Sequence, residues 1–255
     1  MRASVYVRRN NTDMDLKSAI MERTSRRKYE LDPVDGEVLE RLEAACWECN
    51  RAGGLGIQIK IDDPDAFSGG KSYGMFSGVY NYIAMICKKD DPDGDEKIGY
   101  YGESLVLLAT RLGLGTCWVG GTYDQESLHI DIPEDEVLRL VIVFGYVKPK
   151  ESLRERTIAK AVKRKSKEIK DMLNAYGMAP NWVVDGVRYA VKAPSAQNRQ
   201  PVKFFCDGDA VNARVKEEHE FDMVDLGIAK FHFLVGAGGG TWDFGNGGLF
   251  QKAQD

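Results

Sequence analysis

Apolar residues recur along this chain with two periods, and each period predicts its own kind of element. Leu16, Ala19 and Ile20 share one helical face behind Met14. Val38, Leu39, Leu42, Ala45, Cys46 and Cys49 keep the i, i+3/i+4 rhythm of a second helix, with Asp35 placed to cap it. Leu105 to Ala109 with Leu112 predict a helix apolar almost all round, stopped by Gly113; such a helix is buried. Residues 57–61 alternate as a strand does, residues 80–87 form a nearly continuous apolar run that ends at Lys88-Lys89-Asp90-Asp91-Pro92, and residues 138–147 form another. The glycines between 53 and 78 predict loops around the first of these strands.

The pattern then starts again. Trp182 onward predicts a helix into Lys192, a polar loop from Ala193 to Pro201, a strand over 202–206, a helix through 225–231 and a Gly-rich tail. This order echoes the first half, and Gly115-Thr116-Cys117-Trp118 beside Gly240-Thr241-Trp242 is the clearest matching pair, which suggests an internal duplication. Between the halves, residues 148–170 hold ten basic residues against three glutamates. Without interleaved aromatics this stretch reads as a solvated connecting helix and not as a nucleic-acid surface.

Composition narrows the class. The chain has 255 residues, 43% hydrophobic and 29% charged, with a net charge of −4. Disordered and fibrous classes are excluded, and no bulk charge favours nucleic acid or an anionic membrane. No apolar run approaches the roughly 18 residues of a membrane helix. Residues 1–13 carry Arg2, Arg8 and Arg9 with no apolar stretch behind them, an irregular leader and not a secretory signal. Five cysteines, an odd number, suggest reduced thiols in a cytoplasm.

Four stretches offer chemistry. Arg23, Ser25 and Arg27 alternate, so an extended backbone sends all three from one face. Two guanidiniums and a hydroxyl make a phosphate grip; the same residues would serve equally as a solvated helix end answering the helix dipole. The loop of Pro194, Ser195, Asn198 and Gln200 offers amide donors and acceptors suited to a heteroaromatic edge, although a turn that satisfies its own backbone explains it more simply. At Trp118-Val119-Gly120-Gly121, glycines permit close backbone approach to a ligand and the indole offers a flat wall; the alternative is a tight turn with one core tryptophan. Cys46-Trp47-Glu48-Cys49 is a lone CxxC at the end of a helix. It reads as two buried thiols, since zinc would need two more ligands and a redox pair would sit at a helix start. No P-loop, dinucleotide fingerprint, metal set or Ser-His-Asp set is present.

Taken together, Arg23-Thr24-Ser25-Arg26-Arg27-Lys28-Tyr29, Gly99-Tyr100-Tyr101-Gly102-Glu103, Leu112 to Gly121 and Ala193 to Pro201 resemble, in order, the FMN-dependent nitroreductase family, and more closely its single-chain branch of two fused halves. The resemblance implies an α+β fold, an α/β/α sandwich with a mixed sheet built from two pseudo-repeats. It divides the chain into a leader (1–13), a first half (14–147), a basic helical connector (148–181) and a second half (182–255). It implies that Arg23, Ser25 and Arg27 hold the FMN phosphate and ribityl chain, and that Pro194, Ser195 and Asn198 reach the isoalloxazine from the second half. Trp118, Val119, Gly120 and Gly121 would lie beside the ring. The implied activity is hydride transfer from NADH or NADPH through flavin N5 to a nitroaromatic, quinone or similar acceptor, with no catalytic side chain required. Flavin storage or sensing without turnover is the alternative, as is other chemistry on a flavin fold, such as flavin breakdown or ring oxidation. The Arg-x-Ser-x-Arg turn and the Pro-Ser-x-x-Asn loop each occur once, so one chain would hold one site and a monomer would suffice for it. The residues at 45–50 stand where the first half would carry its own version of the Pro194 loop, and the Gly-rich tail lacks the basic residues that many members use near the phosphate.

Overall fold

The structure is a computed structural model and describes residues 14–68, 74–153, 155–157 and 166–253. The leader (1–13) and the middle of the basic segment (154 and 158–165) lie outside the described residues.

Helix α1 (Leu16–Glu22) is capped by Asp15, whose side chain accepts from the Ser18 N–H at 2.7 Å. Helix α2 (Gly36–Gly53) buries Val38, Leu42, Cys46 and Cys49 on the stripe the sequence marks, and ends at Gly54 in the left-handed region with φ 65°. Residues 45–50 are therefore inside this helix; the loop that follows it is 54–57. Strands β1 (Gln58–Lys60) and β2 (Asn81–Lys88) flank the one-turn helix α3 (Asp65–Ser68). Helix α4 (Gly94–Arg111) begins eleven residues before the apolar run that predicts it. Strands β3 (Gly115–Val119) and β4 (Glu136–Gly145) complete the first sheet, antiparallel throughout, in the order β1-β2-β4-β3.

The second half repeats this plan. After α5 (Ile169–Met172) and β5 (Leu173–Tyr176) come α6 (Asn181–Ala190), β6 (Lys203–Asp207), β7 (Ala210–Arg214), α7 (Asp222–Ala237), β8 (Gly240–Trp242) and β9 (Leu249–Lys252). Strands β6-β7-β9-β8 run antiparallel in the order of the first sheet, with β5 added parallel to β6. The segment read as one basic helix thus contains a strand of the second sheet. The Gly-rich tail, for which the sequence predicts no element, supplies β8 and β9.

Helices α4 and α7 pack against each other and each backs its own sheet. They cross at glycines: a Cβ on Gly99 would overlap the Val224 carbonyl, and one on Gly227 would overlap the Glu96 carbonyl. These contacts are reciprocal, as in a two-fold interface. One continuous core joins Leu42, Met85, Leu105 and Ile142 of the first half to Val187, Phe204, Ile228 and Phe233 of the second. The other face of the first sheet buries Tyr82, Ala84, Cys117, Val119, Val141 and Val143 under Tyr29, Phe67 and Phe76. No helix among the described residues is long and apolar enough to cross a membrane.

Candidate functional site

The basic turn leaves α1 in extended backbone and is fastened along β3. Ser25 bridges Thr116 in parallel fashion, and the Arg26 N–H donates to the Thr116 carbonyl at 2.8 Å. The alternation that puts Arg23, Ser25 and Arg27 on one face turns Arg26 to the other. There its guanidinium donates to Glu155 at 3.2 Å and to the Lys148 carbonyl at 2.9 Å. Glu155 also accepts from the N–H groups of Arg27 (2.8 Å), Lys28 (3.2 Å) and Ser152 (2.7 Å). Burial alone would raise the Glu155 carboxyl, but these donors outweigh it and hold the group down at about 2. The turn is braced from behind by a fixed anion.

On the near face the arginines are less committed. Arg27 donates Nη1 to the Ser25 carbonyl at 3.3 Å, while its buried Nε has no hydrogen-bond partner. Arg23, its side chain nine-tenths buried, likewise has an unpartnered Nε. The nearest carboxylate is Glu103 on α4, 4.0 Å away. Glu103 is fully buried and already accepts from the indole Nε1 of Trp118 (2.9 Å) and faces Nε2 of His232 (2.8 Å). A buried guanidinium N–H with no acceptor costs free energy, and its survival in a fold points to a group outside the fold that completes it. An anion fits that requirement.

The other expected residues fall as follows. Trp118 turns its indole onto α4, against Gly102 and Glu103. Val119 is buried as the last residue of β3. Gly120 lies against the Phe221 ring, where a Cβ would stand 2.6 Å from it, whereas a Cβ on Gly121 would meet nothing within 4 Å. Phe221 opens α7, and through α7 the Pro194 loop is tied to the same region: Arg199 pairs with Asp222, and the Ala196 N–H donates to Asp225 at 3.0 Å. Within the loop Ser195 Oγ accepts from the Gln200 N–H at 2.9 Å, and Gln197, Asn198 and Gln200 hold positive φ near 50°. That backbone is strained for side-chain-bearing residues and fits a loop shaped for contact. Burial pushes the Asp225 carboxyl up to about 7, against the Ala196 N–H and Arg199.

The sequence does not single out Glu155, His232 or Asp225, and names Glu103 only within a motif. The one signal that marks Glu103 is its place two residues before the apolar run of the buried helix. Cys46 and Cys49 are free thiols with separate partners, the Ile57 carbonyl for one and Ser104 Oγ with the Tyr101 carbonyl for the other. Elsewhere the buried Asp63 and the exposed Asp65 and His129 place three potential ligand atoms within 4.8 Å of one another.

The fold agrees with the comparisons. A family model described as "Putative TM nitroreductase" matches residues 15–237, and the chain belongs to this family. A Thermotoga maritima protein described as a putative nitroreductase has a similar structure. Its TM-score is 0.63 at 22% identity, covering 98% of this chain and 97% of that one. An FMN-dependent nitroreductase from Clostridium difficile covers 58% of this chain and 98% of its own, at 19% identity and a TM-score of 0.42. A protein described as a putative NADH oxidase from Clostridium acetobutylicum covers 52% and 89%, at 20% identity and a TM-score of 0.42. No curated protein matches.

Proposed function

We propose that the chain is an FMN-dependent NAD(P)H oxidoreductase of the nitroreductase type, reducing a small nitroaromatic, quinone or similar acceptor. The observation that carries this reading is the pair of buried, unpartnered guanidinium N–H groups, Arg23 Nε and Arg27 Nε, on a turn pinned to β3. Membership of the nitroreductase family supplies the chemistry to test.

The residues present fit FMN. Arg23, Ser25 and Arg27 would hold its phosphate and ribityl chain with charge-assisted donors. Gly120 and Gly121, beside Phe221, allow the backbone to come close to the ring, and Pro194, Ser195 and Asn198 would approach from the second half. When bound, FMN supplies hydride acceptance and donation in two half-reactions. The protein's part is to fix the ring and hold its anionic end. The two halves are read as a duplication that keeps one site per chain, with a monomer sufficient for it.

The test is flavin extraction and anaerobic reduction. Yellow protein with one FMN per chain that bleaches with NADH or NADPH supports the proposal. Yellow protein that neither nicotinamide bleaches favours storage, sensing or another flavin reaction, and protein that cannot be loaded with FMN overturns it.

A further inference from the structure

We infer that His232, in the second half, is a positioning residue that keeps Arg23 of the first half free for an anion, acting through Glu103; the identity of the anion rests on the flavin reading above. Three groups converge on one buried carboxylate. Glu103 faces His232 Nε2 at 2.8 Å through Oε1 and accepts from Trp118 Nε1 at 2.9 Å through Oε2. Arg23 Nε stands 4.0 Å from Oε1, beyond hydrogen-bond reach, and is unpartnered. A guanidinium and a carboxylate in a dry setting would ordinarily close to about 2.7–2.9 Å.

The histidine explains why they do not. His232 is fully buried on α7, and its Nδ1 faces the Tyr189 carbonyl of α6 at 3.2 Å, so the ring is anchored by two helices of the second half. Both ring nitrogens face acceptors. The imidazole and the indole hold one carboxylate oxygen each and so fix Glu103 in place, 4.0 Å short of Arg23 Nε. Glu103 therefore supplies a compensating charge to Arg23 from a distance without consuming its donor. If the histidine's donor is removed, the nearest donor left for Oε1 is Arg23 Nε, and the cation is spent inside the fold.

This differs from a purely structural hydrogen bond in one respect: losing His232 must alter the pairing of Arg23, which His232 does not touch, and do so through Glu103. The experiment measures FMN affinity by fluorescence quenching for the wild-type chain, His232→Leu, His232→Gln, Glu103→Gln and the Glu103→Gln/His232→Leu double variant. The Arg23 Nε–H resonance of the flavin-free chain is followed by NMR. We expect His232→Leu to weaken FMN about tenfold and to shift that resonance. His232→Gln, which keeps a donor to Glu103, should remain within about threefold of wild type, and the double variant should return to the level of Glu103→Gln alone. A double variant as weak as His232→Leu overturns the inference, as does an unshifted Arg23 resonance in His232→Leu. Should His232→Leu fail to fold, Glu103→Gln alone decides, because it must move the Arg23 resonance. If the wild-type chain takes up no FMN, the flavin reading fails, while the resonance shifts still test the inference.

Discussion

The two halves each bury a cation against α4 and α7, and they treat it oppositely. In the second half, Lys230 is fully enclosed and uses all three of its N–H donors: Glu96 at 2.5 Å and the carbonyls of Asp243 and Gly245 at 3.0 Å each. Glu96 in turn accepts the Gly245 N–H at 2.7 Å. Around this pair Tyr100, Tyr101 and Phe244 pack ring on ring at 5.3–6.1 Å, and Tyr101 abuts Gly53 at the end of α2. In the first half, Arg23 is nine-tenths buried but leaves a donor unused. The scaffold is the same: Gly120 meets Phe221 where α7 starts, as Gly245 faces Asp93 where α4 starts. A satisfied cation among rings is structure, whereas an unsatisfied one is what the proposed flavin site would use.

The sharpest way to break this comparison is to remove each cation. Lys230→Met leaves Glu96 buried without its partner, which should cost about 3–5 kcal/mol of stability. Urea unfolding of the flavin-free chain measures it, and a loss below about 1 kcal/mol would dissolve the distinction. Burial raises the Glu96 carboxyl and lowers the Lys230 ammonium, so each group needs the other to stay charged.

The Pro194 loop gives the second half a pH signature of its own. Asp225 is held up at about 7 by burial, above its ordinary 3.8. A raised carboxyl contributes its stability fully below the unfolded value and loses it as pH rises through the folded one. The chain should therefore lose stability between about pH 4 and pH 7, by roughly 4 kcal/mol at most for a shift of this size. Asp225→Asn should flatten that slope. An unchanged slope would remove Asp225 from the account of the loop.

Arg23→Ala should do the reverse of Lys230→Met. Its loss removes an incompletely paired buried cation, so the unfolding midpoint should barely fall. FMN affinity should drop about tenfold to a hundredfold, equivalent to about 1.5–3 kcal/mol for a charge-assisted contact. Arg27→Ala should behave alike. Unchanged flavin titrations in both variants would remove the phosphate role and leave the turn as a braced helix end.

How much of this could be read along the chain depended on where the partners of each residue lie. Strand β2 and helix α2 were legible because their own residues set the period. Helix α4 was legible only from Leu105 onward. Its first half reads Gly-Asp-Glu-Lys-Ile-Gly-Tyr-Tyr-Gly, with three glycines that are poor helix formers, because Gly99 and Gly102 are set by the Val224 carbonyl and the Trp118 ring. Strands β8 and β9 were hidden for the same reason, since they pair with each other across a glycine turn and with β7 far earlier. The turn at 23–27 was visible as alternation. The commitments of its neighbours to Glu155, Glu103 and His232 were not, because buried polar pairs so far apart in the chain leave no local pattern.

The smallest effect is expected at Cys46 and Cys49, which belong to the first half alone and test whether its distinctiveness extends to redox chemistry. Both thiols lie on the buried stripe of α2 and face different acceptors. Burial pushes the Cys46 thiol up to about 12 and raises Cys49 as well, so neither is a thiolate near neutral pH. A pair at i, i+3 inside a continuous helix also has poor geometry for a disulfide. Replacing both by Ala should cost about 1–2 kcal/mol for two small buried groups, while nicotinamide-driven flavin reduction keeps its rate. The measurement is stopped-flow reduction of the loaded double variant alongside its unfolding midpoint. A variant that keeps fold and flavin yet loses reduction would put the thiols in the electron path, and the first half would then differ from the second by more than an unpaired cation.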